Sequence, residues 1–270
     1  MRQFAEQARE LAVVRRNSRG GQSAAEHCVA ALRSVFSYAV ADGLISEDRN
    51  PARRVAKPRR LTSPRRALPE ARLEDLYEVA ARTGNDPALD TLLLRLHVET
   101  ACRRGGALAL HTDDLDEEQC LMRLREKANS LRWQPVSPTL MAHLTAHAAY
   151  RGTRTGGQVL RQANGTPISR RRYDYLWGRL GRHLPWVATQ QVTTHWLRHT
   201  TLTWVERHFG YAVARAYAGH ADRAGDAGTT TTYIRASVTE VATALAALTG
   251  EPHPLADAGS LHRDDPNSYP

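Results

Sequence analysis

Residues 194–200 read Thr-His-Trp-Leu-Arg-His-Thr, at the start of a helix expected over 194–207. His195 and Arg198 are three apart, so on a helix they share one face and can approach one phosphate together. A guanidinium offers two parallel N–H groups to two phosphate oxygens. An imidazole, with an ordinary pKa near ~6.5, can accept or donate a proton at neutral pH. The pattern alone is common in basic chains. His199 adds an i, i+4 pair with His195, but zinc-protease chemistry wants Glu directly after the first His, and Trp196 stands there, so no metal site is expected.

Four further residues extend the set. Arg103 follows an apolar helix and precedes Gly105 and Gly106, where the backbone can come close to a ligand. Lys127 falls between two strand-like runs, 120–126 and 131–136, read as a β-hairpin with Lys127-Ala128-Asn129-Ser130 at its tip. His220 follows Ala218-Gly219, and Tyr233 follows four threonines. Each alone reads equally well as a surface or packing residue. Together they bring two guanidiniums, an ammonium, two imidazoles and a phenol, the groups needed to attack a phosphodiester without a metal or other cofactor.

The 270 residues carry a formal charge of +9, which suits a polyanion such as DNA. There are 35 arginines and only two lysines, Lys57 and Lys127. Arginine does not release a proton at accessible pH, so a lysine kept in this background suits an acid. Cys28, Cys102 and Cys120 have no metal-ligand spacing, and no membrane span or signal-peptide core is evident, so a reduced cytoplasmic protein is expected, nucleoid-associated when on DNA.

Apolar periodicity predicts helices over 3–16, 22–41, 68–82, 89–97, 138–150, 169–183, 194–207, 211–217 and 237–249. In the second, the expected stripe is Ala24, Cys28, Ala31, Leu32, Val35, Phe36 and Ala39. Between Arg49 and Arg66 stand eight basic residues and no acid, interspersed with prolines. Arg53, Arg54, Lys57, Arg59 and Arg60 are therefore expected on DNA phosphates. A second block, Arg151–Arg182, has eight arginines against one acid, Asp174, and Arg170, Arg171 and Arg172 are its expected DNA contacts. The fold class expected is mainly α with a small antiparallel sheet. Residues 61–66 are read as a basic linker and 250–270 as a disordered tail.

In this order the elements resemble the tyrosine recombinase (phage integrase) family. Thr100–Leu110 is similar to its first arginine box, Lys127 to the hairpin lysine 24 residues later, Thr194–Thr200 to its His-x-Leu-Arg-His box, Ala218-Gly219-His220 to Leu-Gly-His, and Thr-Thr-Tyr233-Ile-Arg to its nucleophile segment. The resemblance implies a partial helical core-binding domain over 1–60 and a catalytic domain over 67–249, the two clamped on double-stranded DNA. It further implies cleavage through a 3′-phosphotyrosyl link at Tyr233, and a tetramer assembled on DNA through helix 237–249. Type IB topoisomerases share this chemistry, and a DNA-binding protein that has lost catalysis is a further alternative. Four features depart from the family: Gly106 replaces an acidic residue, Trp196 a frequent Asp, His220 and Tyr233 are 13 apart with an extra segment Asp222–Gly228, and the helical domain is short.

Overall fold

A computed structural model describes residues 1–12, 21–56, 66–125, 131–219 and 236–256. Lys57, Arg59, Arg60, Lys127, His220 and Tyr233 lie outside the described residues, as do most of the linker, the segment Asp222–Gly228 and the tail from residue 257. The chain divides into two compact units, Met1–Pro64 and Arg65–Pro270.

The first unit pairs α1 (Arg2–Glu10) with α2 (Gln22–Ala41). Gly21, before α2, has φ 71°, and a Cβ there would collide with the carbonyl of Arg9, so only glycine lets the two helices meet so closely. Among the described residues Ala5, Ala25, Val29 and Val55 form a buried apolar cluster, and Arg33 Nη2 donates to Val55 O at 2.7 Å. The expected stripe of α2 is displaced: burial falls on Ala25 and Val29, and Val35 is 61% exposed.

The second unit is mainly helical with one small antiparallel sheet. Its helices are α3 (Glu70–Arg82), α4 (Pro87–Thr100), α5 (Arg104–Leu108), α6 (Pro138–Tyr150), α7 (Arg170–His183), α8 (Pro185–Gln190), α9 (Thr194–Tyr217) and α10 (Val238–Thr249). Helix α4 is the centre. Pro87 opens it, the Asp86 side chain caps Leu89 N, and Leu89, Leu92, Leu93, Leu94 and Leu96 are all buried. The expected hairpin forms from β2 (Leu121–Arg125) and β3 (Leu131–Pro135), with Arg125 opposite Leu131, and a third strand that periodicity did not reveal, β1 (Leu115–Asp116), pairs with β2. Two residues are too few to show an alternation. Met122 and Leu124 enter the core, while Arg123 and Arg125 bind the buried Asp114.

Helix α9 spans both helices expected at 194–207 and 211–217, broken at Gly210, whose φ of 82° no helix tolerates. A second apolar cluster joins Val205, Val213 and Tyr217 of α9 to Val241, Ala244 and Leu245 of α10. The apolar face of α10 is thus buried within its own chain. Of the disordered tail expected over 250–270, the described residues 250–256 are tethered to the second unit. Glu251 pairs with Arg95 at 2.6 Å and accepts from Thr139 N, and the buried His253 donates to Cys120 O at 3.2 Å. Polar composition suggested solvent, but these two side chains find partners on α4, on α6 and beside β2.

Candidate active site

Helix α9 is fixed before it presents anything. Trp196 and Leu197 are buried in the core, Thr194 Oγ1 accepts from Trp177 Nε1 at 3.0 Å, Thr200 Oγ1 from Leu68 N at 2.9 Å, and Thr201 Oγ1 donates to Val98 O at 2.6 Å. That orientation sends Arg198 inward, where Nη1 donates to Ala101 O and Nη2 to Ala218 O at 2.7 Å. One guanidinium thereby joins the end of α4 to the end of α9. Burial, with Arg103 and Arg132 adding repulsion, lowers its pKa to about 10, so it stays charged at neutral pH. His195 is exposed one turn earlier on the same helix.

The turn that aims Arg103 is held from below. Ala101 ends α4 in the left-handed region with φ 48°. Thr100 Oγ1 donates to Leu96 O and accepts from Cys102 N, and the Tyr217 hydroxyl donates to Glu99 O. His97 Nδ1 lies 3.1 Å from Cys102 O, so it must donate, which leaves Nε2 to accept from the Tyr173 hydroxyl at 2.9 Å. Burial pushes the His97 pKa down to about 4, and this neutral tautomer suits both bonds. Arg103 follows as the half-buried N-cap residue of α5.

A third arginine joins them. Arg132 on β3 donates through Nη2 to Thr100 O at 3.4 Å and through Nη1 to Gln134 Oε1. Its pKa falls to about 10, chiefly through burial, with Arg103 adding to the fall. Gly219 has φ 63°, and a Cβ on it would strike Cδ and Nε of Arg132. The position after Ala218 thus takes glycine for two reasons, backbone and close approach, and His220 is the next residue in the chain.

The structure therefore brings Arg103, Arg198 and the Ala218-Gly219 turn together. Among the expected DNA contacts, Arg53, Arg54, Arg170 and Arg171 are exposed. Arg172 departs from expectation. Its Nε donates to Asp90 Oδ1 at 2.9 Å, Nη1 to Asn85 Oδ1 at 2.8 Å and Nη2 to Asp86 O at 3.1 Å, inside the core. Arg172, Leu176, Arg179 and Leu180 form the inward face of α7, so a helix rich in arginine turns two of them onto Asp90. Sequence reading missed Arg132, which stood in a strand pattern, and the His97–Tyr173 support, whose partners are 76 positions apart. Among the described residues no group of three or more His, Cys, Asp or Glu could hold a metal ion, and no helix is long and apolar enough to cross a membrane.

This helical unit with its edge hairpin has the fold of DNA integrases. A lambda integrase dimer bound to a COC′ core site is similar at 16% identity over 75% of this chain and 74% of that one, with a TM-score of 0.57. The Tn1549 transposon integrase in complex with circular intermediate DNA is similar at 17% identity over 87% and 79%, with a TM-score of 0.61. A lambda integrase tetramer bound to a Holliday junction is similar at 17% identity over 76% of this chain and 61% of that one, with a TM-score of 0.57. No curated protein matches. Residues 66–240 match the phage integrase family, and the chain belongs to it. Family and fold together support a site-specific recombinase or integrase function.

Proposed function

We propose that the chain is a site-specific DNA recombinase that cuts and rejoins strands through Tyr233. The phenolic oxygen attacks the scissile phosphorus, forming a 3′-phosphotyrosyl bond as the bond to the 5′-oxygen breaks. His195 assists removal of the Tyr233 proton, and Lys127 gives a proton to the leaving 5′-oxygen. Arg103 and Arg198 bind the non-bridging oxygens and offset charge that grows in the transition state. His220 hydrogen-bonds the same phosphate. A 5′-hydroxyl of a second strand then reverses the step. The phosphotyrosyl link conserves the bond energy, so neither ATP nor a metal ion is required.

The observation that carries this reading is the pair of hydrogen bonds that Arg198 donates to Ala101 O and Ala218 O, which joins the Arg103 turn to the residues just before His220. The exposed Arg170 and Arg171, with Arg53, Arg54, Lys57, Arg59 and Arg60, supply contacts to DNA phosphates, and the protein works in the cytoplasm on the nucleoid. Assembly is a homotetramer, as in the lambda integrase tetramer on a Holliday junction. Because α10 packs in cis, assembly through it requires exchange of the same helix between protomers. The test is covalent trapping on nicked DNA carrying the chain's recombination site. The unmodified chain is expected to leave a DNA adduct insensitive to chelator, and Tyr233→Phe none. An adduct that persists in Tyr233→Phe would overturn the assignment.

A further inference from the structure

We infer that Arg132 is a third phosphate-binding guanidinium of this site, brought to the scissile phosphodiester by the strand that follows Lys127. The inference rests on the recombinase reading and extends it to a residue outside the six expected from sequence.

Three segments fix where Arg132 lies. Strand β3 carries it opposite Leu124 of β2. Its Nη2 reaches Thr100 O, the carbonyl next to the one that holds Arg198, and three residues before Arg103. Its Cδ and Nε pass beneath Gly219. Gln134, which receives Nη1, is itself buried and donates to Pro135 O at 3.2 Å, so the guanidinium is held rather than swinging on a long stem. Arg132 thus stands between the Arg103 turn and the turn that leads to His220. It remains half-buried, which leaves it a route to solvent.

Electrostatics give this placement a purpose. Arg103 repels both Arg132 and Arg198, and burial depresses both. Like charges gathered in partly desolvated surroundings repel one another, and a bound anion offsets that repulsion. A phosphodiester carries one negative charge, and the pentacoordinate transition state of its cleavage carries two. A third fixed guanidinium is matched to the charge that develops during the step, and its hydrogen bonds are made before the substrate arrives. The competing role is purely architectural: Arg132 would knit α4, β3 and the end of α9 together and touch no phosphate.

Arginine footprinting on the full unmodified chain separates the two. Phenylglyoxal modification, followed by peptide mass spectrometry, is run with and without inorganic phosphate. Arg132 and Arg103 are expected to be protected by phosphate and the exposed Arg182 unaffected. Equal modification of Arg132 in both conditions, with Arg103 protected, overturns the inference and leaves the recombinase reading standing. No protection at either residue removes the phosphate site and the inference with it. A second measurement follows phosphate affinity by calorimetry. Arg132→Gln keeps a polar side chain but loses the charge, and is expected to weaken phosphate binding about tenfold. Arg132→Lys keeps the charge and is expected to fall between. A folded Arg132→Gln that binds phosphate as tightly as the unmodified chain contradicts the inference. If Arg132→Gln does not fold, the footprint on the unmodified chain decides alone.

Discussion

Two groups of arginines, all within the second unit, put one residue type to opposite uses. On α7, Arg172 and Arg179 meet the carboxylate of Asp90, and nearby Arg151 pairs with Asp86 at 2.8 Å. Two carboxylates offset two of these three buried charges, and the result is a cross-brace between α4 and α7. At the ends of α4 and α9, Arg198 and Arg132 bind backbone carbonyls instead. A carbonyl orients a guanidinium without itself supplying a counter-charge. Arginine content therefore says little about DNA contact until each partner is known. Arg172 shows this, since its expected phosphate is replaced by Asp90.

The sharpest way to break the comparison is to remove the counter-charge. Asp90→Ala strands Arg172 and Arg179 in the core, and a loss of about 3–5 kcal/mol in urea unfolding is expected. A loss under about 1 kcal/mol, the usual size for an exposed pair, would mean that these arginines are solvated after all. The converse substitution acts on the other group. Arg103→Gln should slow formation of the covalent DNA complex by about 10²–10³ in single-turnover assays and leave the unfolding midpoint nearly unchanged. Equal damage to stability would place Arg103 with the bracing arginines. Gly219→Ala is expected to do less. It forces a left-handed alanine costing about 1–2 kcal/mol and pushes Arg132 aside, so cleavage should fall while DNA binding by gel shift holds. Unaltered cleavage would show that the Gly219–Arg132 contact is incidental to the chemistry.

What the sequence made legible follows physical range. Helices α6, α7 and α10 were readable within a residue or so because their signals are local: apolar periodicity, the Ser137 and Ser169 caps, and the Ser237–Glu240 capping box. The hairpin was readable from alternation on both sides of residues 126–130. The inward turn of Arg172 was not, because it depends on Asp90, 82 positions away. Of the site, Arg103 and Arg198 stood out by order and spacing, a pattern preserved along the chain. Arg132 and His97 did not, because their roles exist only once β3 and α7 have packed against α4. The short tether of Glu251 and His253 was hidden for the same reason, since polar residues after a helix look like solvent until their partners are in place.

The finest comparison lies at His97, where the brace and the site meet. It is buried against Tyr173 of α7 and supports Cys102 O, directly before Arg103. The groups facing it are the Tyr173 hydroxyl, the Cys102 thiol at 3.4 Å and the charge of Arg198. Burial, with Arg198 adding to it, holds its pKa at about 4 against an ordinary 6.5. Between those values the unfolded chain takes up a proton that the folded chain refuses, so stability falls as pH falls through that window and is intact above it. Roughly 1 kcal/mol should be lost from this residue between pH 7.5 and pH 5.5. His147 and His253 are also depressed by burial, so His97→Gln should flatten the slope of urea midpoints against pH without abolishing it. An unchanged slope in His97→Gln would mean that His97 accepts a proton in the folded state. It would then have to give up its bond from Tyr173 and set a further positive charge beside Arg198, and the support under Arg103 would be a pH-sensitive contact rather than a fixed one.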